Sequence, residues 1–267
     1  MNRLAWLTDL HLDFVSEDAM EQLVQEVRDA HPDALLIGGD VGEARSVVGY
    51  LRLLDEMLGV PSFVVLGNHD FYRGGIASVR RAVESYASES PTMEYLTCAS
   101  DPFELAKDVA LVGHDGWADA REGDYNRSLV MMNDYLLIDE LAAYNKHDRL
   151  AELHRLGDEA AAHIRLQLAL ALPRYPKVFV LTHVPPFRDA CWYQGTISDD
   201  EWAPHFVCQA MGRSILDMAS IYPGNEITVL CGHTHSAGEC RPAPNVHVVT
   251  GAADYGRPGI TQLFELM

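Results

Sequence analysis

The 267-residue chain has no run of eighteen apolar residues; its best candidate, near Ile164–Leu172, is broken by Arg165 and Gln167. No membrane-spanning helix is therefore expected, and no membrane partner. Positive charge is scarce: 20 Lys and Arg stand against 39 Asp and Glu, a net of −19. That balance argues against a protein that grips long nucleic acid through a basic surface. Cysteine is scarce too. Cys98, Cys191, Cys208, Cys231 and Cys240 form an odd, scattered set unlike a disulfide framework. The opening residues reach Asp9 without the basic, apolar and small-residue succession of a leader, so a reduced, cytoplasmic globular protein is expected. The chain also lacks Gly-x-x-x-x-Gly-Lys-Ser/Thr, Gly-x-Gly-x-x-Gly and Gly-x-Ser-x-Gly. Their absence removes the common nucleotide-triphosphatase, dehydrogenase and serine-hydrolase readings.

What is present is a regular alternation of apolar runs and amphipathic stretches. Hydrophobic residues make up 48% and charged residues 22% of the chain, enough to bury a core. Leu4–Leu7 reads as a buried strand, Glu17–Ala30 as a helix stopped by His31-Pro32, and Ala34–Ile37 as a second strand. Ala44–Leu58 reads as a second helix and Ser62–Leu66 as a third strand. Strand–helix–strand–helix–strand implies parallel strands, whose carboxyl ends gather ligands. Those ends carry Asp9-Leu-His11, Gly39-Asp40 and Gly67-Asn-His-Asp70. Two later runs, Lys177–Leu181 and Glu226–Leu230, close on His183 and on Gly232-His-Thr-His235, and Val246–Thr250 and Ile260–Glu265 look like finishing strands. The segment 115–175 between the halves, with a long helix expected over Asp148–Leu172, reads as a partly helical insertion or cap on a single domain spanning 1–267. The long helix is also a candidate dimer face.

Single fragments of this kind mean little. In a chain of this composition a Gly-Asp pair is expected about one to two times, whereas Gly-His-x-His is expected roughly 0.04 times and Gly-Asn-His-Asp about 0.002 times. All of them occur in order, each after a strand-like run. As an ordered set, Asp9-x-His11, Gly39-Asp40, Gly67-Asn-His-Asp70, His183 and Gly232-His-x-His235 resemble the calcineurin-like metallophosphoesterase superfamily. The resemblance covers residues 9 to 235. It implies an α/β fold, a two-layer β-sandwich flanked by helices in four αββα layers, with a two-metal site on its rim. It further implies that Asp9, His11 and His235 hold one divalent ion, that Asn68, His183 and His233 hold the other, and that Asp40 bridges them. His69 would help protonate the leaving oxygen, Asp70 would orient His69 or raise its pKa, and a hydroxide bridging the metals would attack phosphorus.

The residue types suit that chemistry. Carboxylate oxygen and neutral imidazole fit first-row ions such as Mn, Fe, Zn or Co. Only Asp9 and Asp40 among the seven are anionic, so two divalent ions would leave excess positive charge to attract a small anionic phosphate ester. The remaining histidines (His31, His147, His154, His163, His205 and His247) read as structural. A rival grouping is a local zinc site built from Cys231, His233, His235 and Cys240, although its ligand spacing is unlike that of ordinary zinc knuckles.

Within the superfamily the motifs are also similar to those of bacterial class III cyclic-nucleotide phosphodiesterases. The Gly-Asp-x-Val-Asp-Arg-Gly and Gly-Asn-His-Glu forms of Ser/Thr protein phosphatases are absent, and Glu43 stands where many members carry an aspartate. Protein dephosphorylation thus ranks low. The −19 charge disfavours a repair nuclease. Phosphomonoester and phosphodiester hydrolysis both stay open, as does a catalytically silent metal-binding scaffold and assembly as a homo-oligomer. Asn68, His114, Arg127 and Arg188 are candidates to contact substrate, with Asp115 and Trp117 as further wall residues.

Overall fold

The computed structural model describes residues 1–266. Strand β1 (Arg3–Leu7) begins a chain of parallel pairings with β2 (Ala34–Gly38), β3 (Ser62–Val65) and β4 (Met93–Tyr95). These inner strands are apolar along nearly every position because both faces of the sheet are covered. Helix α1 (Glu17–Ala30) starts where Ser16 Oγ accepts the Ala19 amide at 3.2 Å, and it ends at His31 in the left-handed region, before Pro32. Helix α2 (Val47–Leu58) starts three residues later than its apolar pattern suggests. The reason is local: Ser46 Oγ accepts the Glu43 amide at 3.0 Å and closes a turn ahead of the helix. Helix α3 (Ile76–Glu89) completes the outer layer of this sheet.

The second sheet has six strands. Its edge pair is β5 (Phe103–Ala106) and β6 (Val109–His114); β7 (Lys177–Thr182), β10 (Glu226–Cys231), β11 (Gly238–Ala243) and β12 (Val246–Thr250) follow, in spatial order β11-β12-β10-β7-β6-β5. A two-stranded hairpin, β8 (Trp192–Tyr193) and β9 (Thr196–Ile197), stands apart, and β13 (Gln262–Glu265) returns antiparallel to β1. The inner faces of the two large sheets meet through Leu4, Trp6, Leu36, Phe63, Leu111, Leu181 and Leu230. Four layers result, a β-sandwich with helices outside, as expected.

The long helix has a different role from the one its sequence suggests. After two short helices, α4 (Asp134–Leu137) and α5 (Asp139–Ala142), α6 spans Lys146–Ala171. Strands β6 and β7 are parallel neighbours, and a parallel pair needs a crossover connection. Helix α6 supplies it, burying Ala160, Ile164 and Leu168 with α7 (Gln209–Ile221) against the second sheet. It is one of the four layers and no cap. Outside α4, α5 and α6, the 115–175 segment is irregular over 115–133, at the short joints 138 and 143–145, and over 172–175.

Candidate functional site

The carboxyl ends of β1, β2, β3, β7 and β10 open on one rim. Backbone bonds sew them together: Asp9 N–H donates to the Gly39 carbonyl at 3.0 Å, His11 N–H to Asp40 at 2.8 Å, and Gly232 N–H to His183 at 2.9 Å. The chain leaves each strand sharply. Asp9, His11, Asp40, His233 and His235 all have positive φ, between 44° and 71°. Non-glycine residues pay roughly 1–3 kcal/mol each for such backbone, and strain of this kind clusters at functional sites. Glycine is required where the turns touch. A Cβ on Gly67 would collide with Asp40, and one on Gly232 with Asp9 and Thr8.

The side chains converge as acceptors. Asp9, His11, Asp40 and His235 each place one ligand atom within 4.8 Å of the others. His11 Nε2 lies 2.9 Å from His235 Nε2 and 3.7 Å from Asp40 Oδ2, while His235 Nε2 lies 3.4 Å from Asp9 Oδ1. On the other side of Asp40, His183 Nδ1 lies 2.9 Å from the Gly38 carbonyl. A carbonyl only accepts, so the neutral ring carries its proton on Nδ1. Its Nε2 lone pair therefore faces Asn68 Oδ1 at 3.2 Å and Asp40 Oδ1 at 3.4 Å. Asn68 cannot relieve the confrontation by turning its amide. Its Nδ2 is committed to Asp134 Oδ1 at 2.9 Å and Tyr72 OH at 3.1 Å. His233 Nε2 reaches the His205 carbonyl at 3.4 Å, and its ring stacks edge-on with that of His183 at 5.0 Å. Backbone amides reach the carboxylates, His69 N–H donating to Asp40 Oδ1 at 2.9 Å and His233 N–H to Asp9 Oδ1 at 3.0 Å, but the His183 Nε2 lone pair is left facing oxygens, an arrangement a cation relieves. The donor set, two carboxylates, one amide oxygen and four imidazoles, fits divalent first-row ions.

The electrostatics point the same way. Burial and the neighbouring Asp9 carboxylate push Asp40 well above the usual carboxylate range. Burial also opposes ionisation of Asp9, yet the hydrogen bonds with His235 and Thr8 hold its carboxyl below that range. Burial lowers His11 to about 4 and His233 to about 3, keeping both rings neutral. Burial and the surrounding histidines bring His69 down to about 2. Its ring packs 4.6 Å from His11 and 4.2 Å from Tyr72, lining a cavity that opens beside the cluster.

Four sequence-based assignments do not match this geometry. Asp70 does not touch the His69 ring. Its carboxylate, pushed up to about 8 by burial and by Asp40, accepts the amides of Val41 and Gly42 at 2.9 Å and of Gly67 at 2.8 Å. It positions two loops instead of a proton donor. His114 is buried away from the cavity, stacked on His163 at 5.2 Å, with Nδ1 accepting the Gly116 amide. Arg127 is 91% exposed and faces Asp124 at 3.6 Å. Arg188 bonds Asp200 at 2.5 Å and the Ser198 carbonyl at 3.0 Å. Neither arginine lines the cavity. The rival zinc grouping is also unmade: buried Cys231 turns to Thr250 Oγ1 at 3.5 Å.

Other residues were missed. Asp134 lies at the start of the short α4 helix, in a stretch where no periodicity or motif marks it. Asp115, read as a wall residue, is a buried hub instead. Its carboxylate accepts the Leu66 amide, the Tyr95 and Thr97 hydroxyls, each at 2.7 Å, and Arg80 Nε at 2.9 Å, while its carbonyl accepts the His183 amide at 3.0 Å. It therefore ties the ends of β3 and β7 to one another.

The family model for calcineurin-like phosphoesterases matches residues 3–237. A probable cyclic nucleotide phosphodiesterase of Synechococcus is 38% identical over 78 residues, which cover 25% of this chain and 31% of that protein. The alignment thus spans about a third of that relative. In fold, the chain is similar to the phosphopantetheinyl hydrolase of Mycobacterium tuberculosis, at 15% identity and a TM-score of 0.67 over 95% of this chain and 90% of that one. It is also similar to a dimetal phosphatase from Danio rerio, at 13% identity and a TM-score of 0.57 over 94% and 87%.

Proposed function

The chain belongs to the calcineurin-like phosphoesterase family, and from that premise we propose that it hydrolyses a small phosphomono- or phosphodiester with the help of two divalent metal ions. Asp9, His11 and His235 would hold one ion, Asn68, His183 and His233 the other, with Asp40 between them. The observation that carries this reading is the meeting of the His183 Nε2 lone pair, in a ring whose proton the Gly38 carbonyl holds on Nδ1, with Asn68 Oδ1 at 3.2 Å and Asp40 Oδ1 at 3.4 Å in one buried site. When bound, the ions would supply Lewis acidity toward the phosphoryl oxygens and lower the pKa of water.

The chain's own groups do the rest. Asp134 and Tyr72 fix the Asn68 amide, so that its oxygen points at the site before any ligand arrives. The Gly38 carbonyl fixes the His183 ring in the same way. Such outer partners typically change metal affinity by about 10–100-fold. His69 lines the cavity, and from there it would donate a hydrogen bond to the leaving oxygen as the ester bond breaks. With Asp70 engaged by backbone amides, the position of His69 comes from packing against His11 and Tyr72.

The test is a panel of mono- and diesters, cyclic nucleotides among them, assayed with Mn, Fe, Co and Zn beside metal analysis of the protein. Metal-dependent release of phosphate or alcohol, lost in Asp40→Ala, is the expected result. No turnover of any ester with any metal would favour a silent scaffold.

A further inference from the structure

The cavity beside the cluster has a volume of about 680 Å³, in the range that holds a drug-sized ligand. No lysine or arginine lines it; its charged lining beyond the histidines is Asp40 and Asp199. Arg188 and Arg73 are paired outside it, with Asp200 and with Glu43. A second phosphate or a carboxylate on the substrate would therefore enter a space with no cation to receive it, next to a carboxylate. The outer wall is instead aromatic and aliphatic: Tyr193, Ile197, Trp202, Phe206, Met131 and Tyr255. Trp202 and Phe206 pack at 6.0 Å, and Phe206 continues the stack onto His233 at 4.7 Å. Trp202, Tyr193 and Met131 are 46%, 57% and 64% exposed, a cost in water that a ligand would remove. One polar handle is free. Thr234 Oγ1 is buried without a hydrogen-bond partner and borders the same cavity.

The wall is built, not incidental. The β8–β9 hairpin turns through Gln194 and Gly195, both with positive φ, as a tight two-residue turn requires. The Gln194 amide is tied to Ser236 Oγ at 3.3 Å, just after His235. On the facing side the Leu129 amide reaches Glu201 Oε1 at 3.2 Å, which joins the 129–133 segment to the loop that carries Trp202.

We infer that the cavity selects a phosphate ester with a single phosphate whose alcohol is a bulky, uncharged aromatic or apolar group, seated against Trp202 and Phe206, with Thr234 Oγ1 donating to an ester oxygen. This rests on the proposed phosphoesterase activity for its catalytic arm only. Selectivity comes from two sources: apolar and stacking contact at the wall, and the absence of any countercharge for a second anion.

The test has two arms. In the first, metal-chelated protein is titrated with the uncharged fluorophore N-phenyl-1-naphthylamine. The expected result is saturable enhancement at one site per chain, displaced by uncharged 2-naphthol, with affinity lowered about tenfold in Trp202→Ala and in Phe206→Ala. In the second, the metal-loaded protein is given 2-naphthyl phosphate, glycerol 3-phosphate and fructose 1,6-bisphosphate. The expected order of kcat/KM places the naphthyl ester at least about tenfold above glycerol 3-phosphate, with the bisphosphate lowest. In Trp202→Ala and Phe206→Ala the preference should shrink through KM. Fluorophore binding without turnover of any ester would sink the phosphoesterase reading and leave the apolar site standing. Turnover with no preference for the naphthyl ester, or with preference for the bisphosphate, would overturn the inference while leaving the activity. Fluorophore binding that neither substitution weakens would place the apolar site elsewhere and overturn it too.

Discussion

At the scale of the residue, the site depends as much on what fixes the candidate ligands as on the ligands themselves. Asp134 accepts from both Asn68 and Tyr72, and without it the Asn68 amide is free to flip. Asp134→Leu is expected to weaken binding of divalent metal about 10–100-fold, read by calorimetric titration; unchanged affinity would deny Asp134 that role. Asp115 and Arg80 form a buried pair under the ends of β3 and β7. Arg80→Met leaves the Asp115 carboxylate without its cation and is expected to cost about 3–5 kcal/mol in denaturant unfolding. The ligand-like residues were legible in the sequence because each follows an apolar run and several share short, improbable motifs. Asp134 was not, since a lone aspartate in a stretch without periodicity is indistinguishable from a surface residue until its partners are seen, and Asp115 was singled out only as a wall residue because its buried partners are distant along the chain. Asp70 was misread for a related reason: adjacency to His69 along the chain suggested contact, but the turn after Gly67 sends its carboxylate toward backbone amides.

At the scale of the element, apolar periodicity located β1, β2, β3, β7 and β10 and reproduced the ends of α1, but it could not say what α6 packs against. A 26-residue helix after a charged, tyrosine-rich stretch looks like an insertion. Only the parallel pairing of β6 with β7 shows that it is the crossover between them. Its amino end is fixed by Asn145, whose side-chain oxygen accepts the amides of His147 at 2.9 Å and Asp148 at 3.1 Å. Asn145→Ala should cost about 1 kcal/mol in chemical denaturation, and no measurable loss would show the cap to be redundant. Buried Ile164 is a stronger test of α6 as a structural layer. Ile164→Ala should destabilise the protein by about 2–5 kcal/mol, whereas a detachable cap would leave global unfolding unaltered.

At the scale of the whole molecule, two sheets are joined at one rim by buried groups that repel each other without a cation. Asp40 shows the cost most clearly. A carboxyl whose pKa is raised on folding, here by burial and by Asp9, subtracts from stability as pH climbs past its unfolded value of 3.8. At neutral pH, Asp40→Asn should therefore raise the melting temperature of chelated protein and abolish the further rise produced by manganese; the opposite pattern would mean that Asp40 is not held for a metal. The fold and the meeting of distant strand ends could be read from the sequence, because both follow from apolar runs and short motifs. The cavity wall could not, since Trp202, Phe206 and the β8–β9 hairpin belong to a stretch without periodicity. The most direct test of the account is an anomalous difference map from crystals of the manganese-loaded protein. Two peaks are predicted, one beside Asp9, His11 and His235 and one beside Asn68, His183 and His233, with the Asp40 carboxylate between them. A map with no peak at this rim, or with manganese bound only elsewhere on the acidic surface, would contradict it.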